Sequence, residues 1–302
     1  MKLIRYFDGH IVINLCGFII RIKKNKEFNC PQVKECGINK TVKRDRQVIV
    51  SLTSFPERIN IVTSTIKTLL TQTMKPDMVV LWLANEQFPN CEADLSKELL
   101  DLREYGLTID WYKDIRSYKK IIPALKKYPE AVIITTDDDI YYASDTVETL
   151  YKSYLEYPNC IQAHICDWLS INDANEISWD KTRKLYEDKH RGEASFRHRL
   201  TGYGAVLYPP HSLYEEVLNE ELILKTIPTH DDIWLWAMAV MQGTKTKLVK
   251  GYSESINYVE NSQQFGLCKI NKKGVGMGLG EAYEIILKEY PKIMEVLEKE
   301  CS

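Results

Sequence analysis

Asp137, Asp138 and Asp139 stand in a row directly after the apolar run Ala131–Thr136 (AVIITT). Three adjacent carboxylates repel one another and raise one another's pKa unless a cation is present. A hard divalent ion, Mg2+ or Mn2+, bound through oxygens resolves that repulsion. Such an ion bridges phosphate oxygens and neutralises charge on a leaving diphosphate. The plain alternative is a solvated acidic turn capping the next helix. A second acidic pair, Asp231-Asp232, follows His230 just before a helical pattern. One carboxylate there could deprotonate an acceptor hydroxyl while the other, or His230, orients it. The alternative is an N-cap that satisfies free amides.

Three further stretches carry chemistry. Ser117-Tyr118-Lys119-Lys120 opens a helix, where lysines either reach a sugar or its phosphates or line an exposed face. In Thr201-Gly202-Tyr203-Gly204-Ala205, glycines flank an aromatic and permit close approach of a sugar ring, or simply make a tight turn. Thr53-Ser54-Phe55-Pro56-Glu57-Arg58 is the turn after the first domain strand, the place that holds a base or ribose in a doubly wound sheet. Gly274–Gly280 is glycine-rich but follows no predicted strand and reads as a loop able to close over a nucleotide. A Walker loop and a GxGxxG after the first strand are absent. The residues after Asp139, Ile140-Tyr141, do not fit the haloacid dehalogenase pattern.

These residues need a scaffold, and residues 47–160 provide its pattern. Short β-branched runs at Gln47–Thr53, Met78–Ala84, Leu107–Tyr112 and Ala131–Thr136 alternate with helical spacing at Arg58–Thr71, 93–104, Ser117–Lys127 and Asp145–Glu156. That alternation predicts an α/β, Rossmann-like, mostly parallel sheet with helices on both faces. It places Asp137–Asp139 at the carboxyl end of a strand, where such sheets bind ligands. Residues 164–201 show no clear period and read as an irregular functional loop. A strand at Ala205–Tyr208, helices near His211–Leu218 and from Asp231, and a helix over Glu281–Glu298 interrupted by Pro291 complete the chain. The predicted division is an N-terminal segment 1–46, a regular α/β half 47–160, and a less regular half 161–302 that shares one domain with it.

The chain has 302 residues, 44% hydrophobic and 27% charged, a globular composition. Its formal net charge of −2 argues against a dedicated nucleic-acid binder. The charge is uneven: residues 1–46 hold eleven Lys/Arg against four acids, the remainder 29 against 38. A basic, partly apolar lead-in suggests peripheral contact with an anionic membrane, or else packs on the domain. Its apolar run Ile11–Ile20 is half the roughly 20 residues a spanning helix needs. No secretory signal is evident. Eight cysteines without CxxC or zinc spacing read as free thiols, and the cytoplasm, with peripheral contact at the inner face of the plasma membrane, is the expected compartment.

Taken together, VIVSLTSFPERI, PDMVVLWLA, DIRSYKKIIPALKKYPE, IITTDDDIYY, GYGAVLYPP and HDDIWLWAMA resemble bacterial glycosyltransferases of capsule and O-chain synthesis, similar to family 2. The resemblance covers roughly residues 47–250. It implies a GT-A fold, a nucleotide-sugar donor (a UDP-sugar is favoured), a divalent metal, and a glycan or lipid-linked glycan acceptor. It also implies that residues 47–160 bind the nucleotide-sugar and residues 161–302 the acceptor. By this resemblance Asp137 and Asp139 fall on the metal-binding DxD positions, Asp139 first among them, with Asp138 between them beside the donor. Asp232 falls on the catalytic base and Asp231 on its neighbour. Thr53, Phe55 and Arg58 fall on the nucleotide turn, although the first-strand motif departs from the commoner Pro-x-Tyr-Asn form. Lys119 assists at the phosphates, and Gly202, Tyr203 and Gly204 face the acceptor. His164 and His230 are the candidates for a metal-binding histidine. Transfer with inversion is implied; the residues alone leave a retaining route open. Two rivals use the same residues: a nucleotidyltransferase, whose glycine-rich loop Thr53–Arg58 lacks, and a non-catalytic sugar-binding protein on an inherited scaffold.

Overall fold

The computed structural model describes residues 3–7, 10–15, 18–23, 30–172, 177–179, 189–250, 257–265 and 276–301. Four parallel strands form the centre: β4 (Val48–Thr53), β5 (Met78–Ala84), β6 (Leu107–Tyr112) and β7 (Val132–Thr135). β4, β5 and β7 are apolar along nearly their whole length because helices cover both faces, whereas β6, at the sheet edge, is half-buried and carries Thr108 and Asp110. Val48, Val50 and Leu52 pack in one core with α1 (Val62–Leu69) and α4 (Thr146–Glu156). Ile49, Val80, Trp82 and Ile133 point the other way, where Ala124 of α3 (Ile122–Lys127) meets them. The period-2 alternation of the strands thus separates two helix layers.

The sheet continues past β7 into the second half of the chain. Its order is β12-β15-β9-β14-β7-β4-β5-β6, with β9 (Ile161–Ala163), β12 (Ala194–Ser195), β14 (Val206–Tyr208) and β15 (Thr246–Leu248). β14 runs antiparallel between β7 and β9, whereas β9 and β15 are parallel to each other. The expected mostly parallel α/β sheet is present, with antiparallel additions that the sequence pattern did not signal. The segment 164–201 is less irregular than expected. It holds β10 (Cys166–Ile171), paired antiparallel with β11 (Ile177–Trp179) and with β13 (His198–Leu200). β11, β12 and β13, of two or three residues, are too short to print a period. Residues 173–176 and 180–188 of this segment lie outside the described residues.

Several predicted helices are broken. Pro56–Arg58 is a single 3-10 turn ahead of α1, and 93–104 contains only α2 (Lys97–Asp101) between 3-10 turns. Arg116–Lys120 is a 3-10 turn leading into α3. His211–Leu218 is helical only as a 3-10 turn over Glu215–Leu218, followed by α5 (Glu220–Thr226). The helix from Asp231 is α6 (Asp231–Gln242), ended by Gly243 in the left-handed region at φ 81°. Ile233 to Val240 are all buried, so this helix is apolar all round and sits within the core. Pro291 divides the C-terminal pattern into α7 (Leu279–Glu289) and α8 (Lys292–Cys301). A two-stranded pair, β8 (Ile140–Tyr141) and β16 (Asn257–Tyr258), braces the turn after Asp139.

The N-terminal stretch forms its own antiparallel sheet of β1 (Leu3–Phe7), β2 (His10–Leu15) and β3 (Phe18–Lys23). The apolar run Ile11–Ile20 is therefore divided between two strands. Among the described residues no helix is long and apolar enough to cross a membrane. Residues 30–46 lie on the domain, tied by Gly37 N–H to the Tyr105 carbonyl and by an Arg44–Asp77 ion pair at 2.8 Å.

Candidate functional site

β7 ends one residue before Thr136, and Thr136 N–H still bonds the Ser51 carbonyl of β4. The three aspartates then turn out of the sheet, each toward a different partner. The Asp138 carboxylate accepts from Ser54 Oγ at 2.6 Å and Arg58 Nη1 at 2.7 Å and is buried. The second arm of Arg58, Nη2, reaches Asp139 Oδ2 at 3.1 Å, and Gln263 Nε2 donates to the same oxygen at 2.8 Å. Burial, then the charge of Asp137, pushes the Asp139 carboxyl up to about 7. Asp137 is held at its N–H by the Tyr142 hydroxyl and at Oδ1 by Lys120 Nζ, 2.8 Å each. Its side chain is 30% exposed, which makes it the most open of the cluster.

Lys120 joins this turn to the second acidic pair. Its ammonium is buried and lies 2.8 Å from both Asp137 Oδ1 and Asp231 Oδ2. Asp231 and Asp232 start α6, so the buried helix fixes their positions. Asp231 also accepts from Ser117 Oγ at 2.9 Å. Burial raises its carboxyl, but the Lys120 charge and the hydrogen bonds of Lys120 and Ser117 outweigh that and hold it below the ordinary value. Asp232 has weaker support: Gly202 N–H donates to Oδ1 at 2.9 Å, and Arg199 Nη1 is 3.8 Å from Oδ2. Burial and the neighbouring Asp231 charge push the Asp232 carboxyl up to about 7. Adjacent carboxylates driven apart in this way are suited to different tasks, one ionised and structural, one able to take and give a proton near neutrality.

The Gly202–Gly204 turn packs directly against this group. A Cβ on Gly202 would sit 2.6 Å from Lys120 Nζ and 3.2 Å from Asp232 Oδ1, and one on Gly204 would sit 2.8 Å from Ile165. The glycines are therefore required by contact inside the protein. Tyr203 packs on the core that lies over β4, and its carbonyl accepts from the Tyr142 hydroxyl at 3.3 Å. Ala205, which follows, has φ 69°, a left-handed conformation that costs a non-glycine residue energy and marks a constrained turn.

The structure gives several expected residues other tasks. Lys119 is turned away from the acids and pairs with Asp114 at 2.5 Å, because successive residues of a 3-10 turn point about 120° apart. Lys120, named in the sequence only as part of a basic helix start, takes the central place instead. Arg58 holds Asp138 and Asp139 and lies 5.6 Å from the Phe55 ring. Thr53 Oγ1 donates to the Trp82 carbonyl, a tie within the sheet. Neither candidate histidine joins the acids. His164 is fully buried with its ring nitrogens 3.0 Å from the Gly204 carbonyl and 2.8 Å from Thr149 Oγ1, and burial holds it neutral with a pKa of about 3. His230 Nε2 donates to the Met277 carbonyl at 3.1 Å. Of Gly274–Gly280, residues 274–275 lie outside the described residues, and Gly278 caps α7. Sequence reasoning also missed Tyr142 and Arg199, for which no local signal exists.

Among the described residues no three His, Cys, Asp or Glu side chains converge as a metal cage. Mg2+ and Mn2+ bound with phosphates need only one or two carboxylates, with the phosphate oxygens supplying further ligands. Asp137 and Asp139 fit that requirement: both are oxygen donors at one strand end, and the Asp137 side chain is 30% exposed.

No family model matches the chain, and no curated protein matches it. Among solved structures it is similar to the mannosyltransferase PcManGT from Pyrobaculum calidifontis, in complex with GDP-Man and Mn2+. That match has 14% identity and a TM-score of 0.42, and covers 71% of this chain and 56% of that one. Likeness at this level carries no functional argument.

Proposed function

We propose that the protein is a GT-A-type glycosyltransferase that moves a sugar from a nucleotide-sugar donor to a hydroxyl of a glycan or lipid-linked glycan. The observation that carries this reading is the meeting of two acidic sets, one at a strand end and one at a helix start, bridged by Lys120, with one carboxyl of the helix-start pair held low and the other raised. Transfer between two substrates needs both: a pole for the donor diphosphate and a base for the acceptor.

In this reading Asp232 receives the acceptor proton at its carboxylate, and Gly202 N–H and Arg199 aim the group. Asp231 stays ionised and fixes Lys120, whose charge lies beside Asp137 where the diphosphate would develop negative charge. Arg58 and Ser54 hold Asp138, which keeps the turn in shape for its neighbours. A divalent ion, held by Asp137 and Asp139, would offset charge on the departing nucleoside diphosphate. We further propose a UDP-sugar donor, single displacement with inversion, a role in bacterial surface polysaccharide synthesis, and work at the inner face of the plasma membrane through residues 1–46. These finer points rest on the motif resemblance and the basic lead-in.

The test is a thermal-shift titration with UDP, GDP, CDP and ATP, each with manganese and with chelator. A ligand at ~100 times its Kd stabilises by about 2.7 kcal/mol. A metal-dependent shift with one nucleoside diphosphate is expected. A shift with triphosphate alone would transfer the assignment to a nucleotidyltransferase, and no shift with any of them would remove the donor reading.

A further inference from the structure

The partners of the three aspartates are of two kinds. Ser54 Oγ and Arg58 Nη1 donate to the Asp138 carboxylate and, among the described residues, to no other acceptor. The donors on the Asp137 and Asp139 carboxylates each have a second acceptor. Lys120 Nζ is shared between Asp137 Oδ1 and Asp231 Oδ2, 2.8 Å each. Arg58 Nη2 reaches Asp139 Oδ2 at 3.1 Å and the Ser262 carbonyl at 3.3 Å. Gln263 Nε2 donates to the same Asp139 oxygen at 2.8 Å and to Ser262 Oγ at 3.2 Å. A buried donor that loses its acceptor bears a full desolvation penalty. The donors on Asp137 and Asp139 escape that penalty when their carboxylate changes partner, and those on Asp138 do not. The turn is therefore built to exchange partners at its two outer acids and to keep the middle one fixed.

Charge sets the condition for the exchange. Three carboxylates stand against Arg58 and Lys120, and Lys120 also serves Asp231. A divalent ion arriving alone meets two protein cations already seated on its oxygen ligands. A diphosphate arriving with the ion brings the negative charge that those cations lack once the carboxylates are taken. The guanidinium is what makes the arrangement possible, because its planar fork spans two carboxylates at once and a single ammonium does not.

We propose that Arg58 is a counter-cation of divided duty: Nη1 holds Asp138 permanently, while Nη2 occupies Asp139 until a divalent ion takes that carboxylate, so that the ion binds together with a nucleoside diphosphate and only weakly alone. This rests on the metal part of the reading above and makes Arg58 a positioning residue of the acid turn. Arg58→Lys tests it, since it keeps the charge for Asp138 and loses the second arm. Mn2+ binding to the full chain is measured by electron paramagnetic resonance, alone and with UDP, GDP or CDP. Wild type should bind Mn2+ at least about tenfold more tightly with one of the diphosphates than without, and Arg58→Lys should bind Mn2+ alone at least about tenfold more tightly than wild type does. A purely structural role predicts the reverse, a loosened turn that binds the ion less well. Equal or weaker Mn2+ binding by Arg58→Lys, with the diphosphate effect present in wild type, would overturn the inference and leave the glycosyltransferase reading standing. Tight binding of Mn2+ alone by wild type would do the same. No Mn2+ binding by wild type with any of the three diphosphates would overturn both the inference and the metal part of the reading. The thermal midpoint reports whether Arg58→Lys is folded. A crystal structure of wild type with Mn2+ and the diphosphate needs no variant: Nη1 should remain on Asp138 with Nη2 on the Ser262 carbonyl alone, and an Arg58–Asp139 pair retained beside the ion would overturn the inference.

Discussion

Lys120→Met removes one charge and retains most of the side-chain volume. In the wild type that ammonium is 2.8 Å from both Asp137 and Asp231, and all but 5% of the residue is buried. After the substitution Asp231 remains buried, beside Asp232, with no cation. It has two options. It can stay ionised, and removing one partner of a buried pair costs about 3–5 kcal/mol. It can instead take up a proton; from an ordinary carboxyl value of 3.8 to pH 7 this costs about 4 kcal/mol. The two routes agree, so a loss of about 4 kcal/mol at pH 7 is expected. Asp137 adds little because its side chain is 30% exposed and water can solvate it. The sign with pH follows. The wild-type Asp231 carboxyl lies below its ordinary value, so its contribution is present above 3.8 and is lost as pH falls through the folded value. In the variant the carboxyl is raised, and acid relieves the penalty. The difference between the two proteins should shrink by about 1.4 kcal/mol per pH unit toward pH 4. Urea unfolding followed by tryptophan fluorescence at pH 7, 6 and 5 measures it. A loss under about 1 kcal/mol at pH 7, or one that does not shrink on acidification, would refute the reasoning.

Asp232→Asn keeps an oxygen for Gly202 N–H but removes the proton acceptor; turnover should fall by about 10²–10⁴ with donor binding unchanged, and full turnover by that variant would exclude the base role. Gly202→Ala places a methyl 2.6 Å from Lys120 Nζ and should cost about 1–3 kcal/mol, whereas Gly280→Ala meets nothing within 4 Å on an exposed helix start and should be neutral or stabilising by up to about 1 kcal/mol, both read by thermal melting. His164 is held near 3, below its ordinary 6.5, so its favourable contribution is complete above pH 6.5 and is lost as pH falls. The stability advantage of wild type over His164→Asn should therefore decline by about 1.4 kcal/mol per pH unit from pH 6.5 to 4, and an advantage independent of pH would show that the imidazole is not held neutral.

The sequence by itself determined the elements with strong local causes. β5 begins and ends where its β-branched and aromatic run does, because a strand covered on both faces needs an unbroken apolar stretch, and β6, at the sheet edge, is marked instead by alternation through Leu107, Thr108, Ile109 and Asp110. The acids at 137–139 and 231–232 were also legible, since strand end and helix start are themselves local features. Pairing was not legible. Lys119 and Lys120 are chemically identical neighbours, and only the direction of a 3-10 turn sends one to Asp114 and the other between Asp137 and Asp231. The glycines at 202 and 204 read as an approach for a ligand, and the structure adds close contacts with Lys120, Asp232 and Ile165 that the sequence could not signal. The strand at β14 was legible but its antiparallel place between β7 and β9 was not, and its two- and three-residue companions β9, β12 and β15 leave no periodic trace, so the sheet they join decides their conformation. Composition and spacing therefore set which chemical groups are available and on which elements they lie. The tertiary structure decided which cation meets which acid, and so which of Asp231 and Asp232 stays charged, because burial and Coulomb attraction act through space between residues more than a hundred positions apart in the chain.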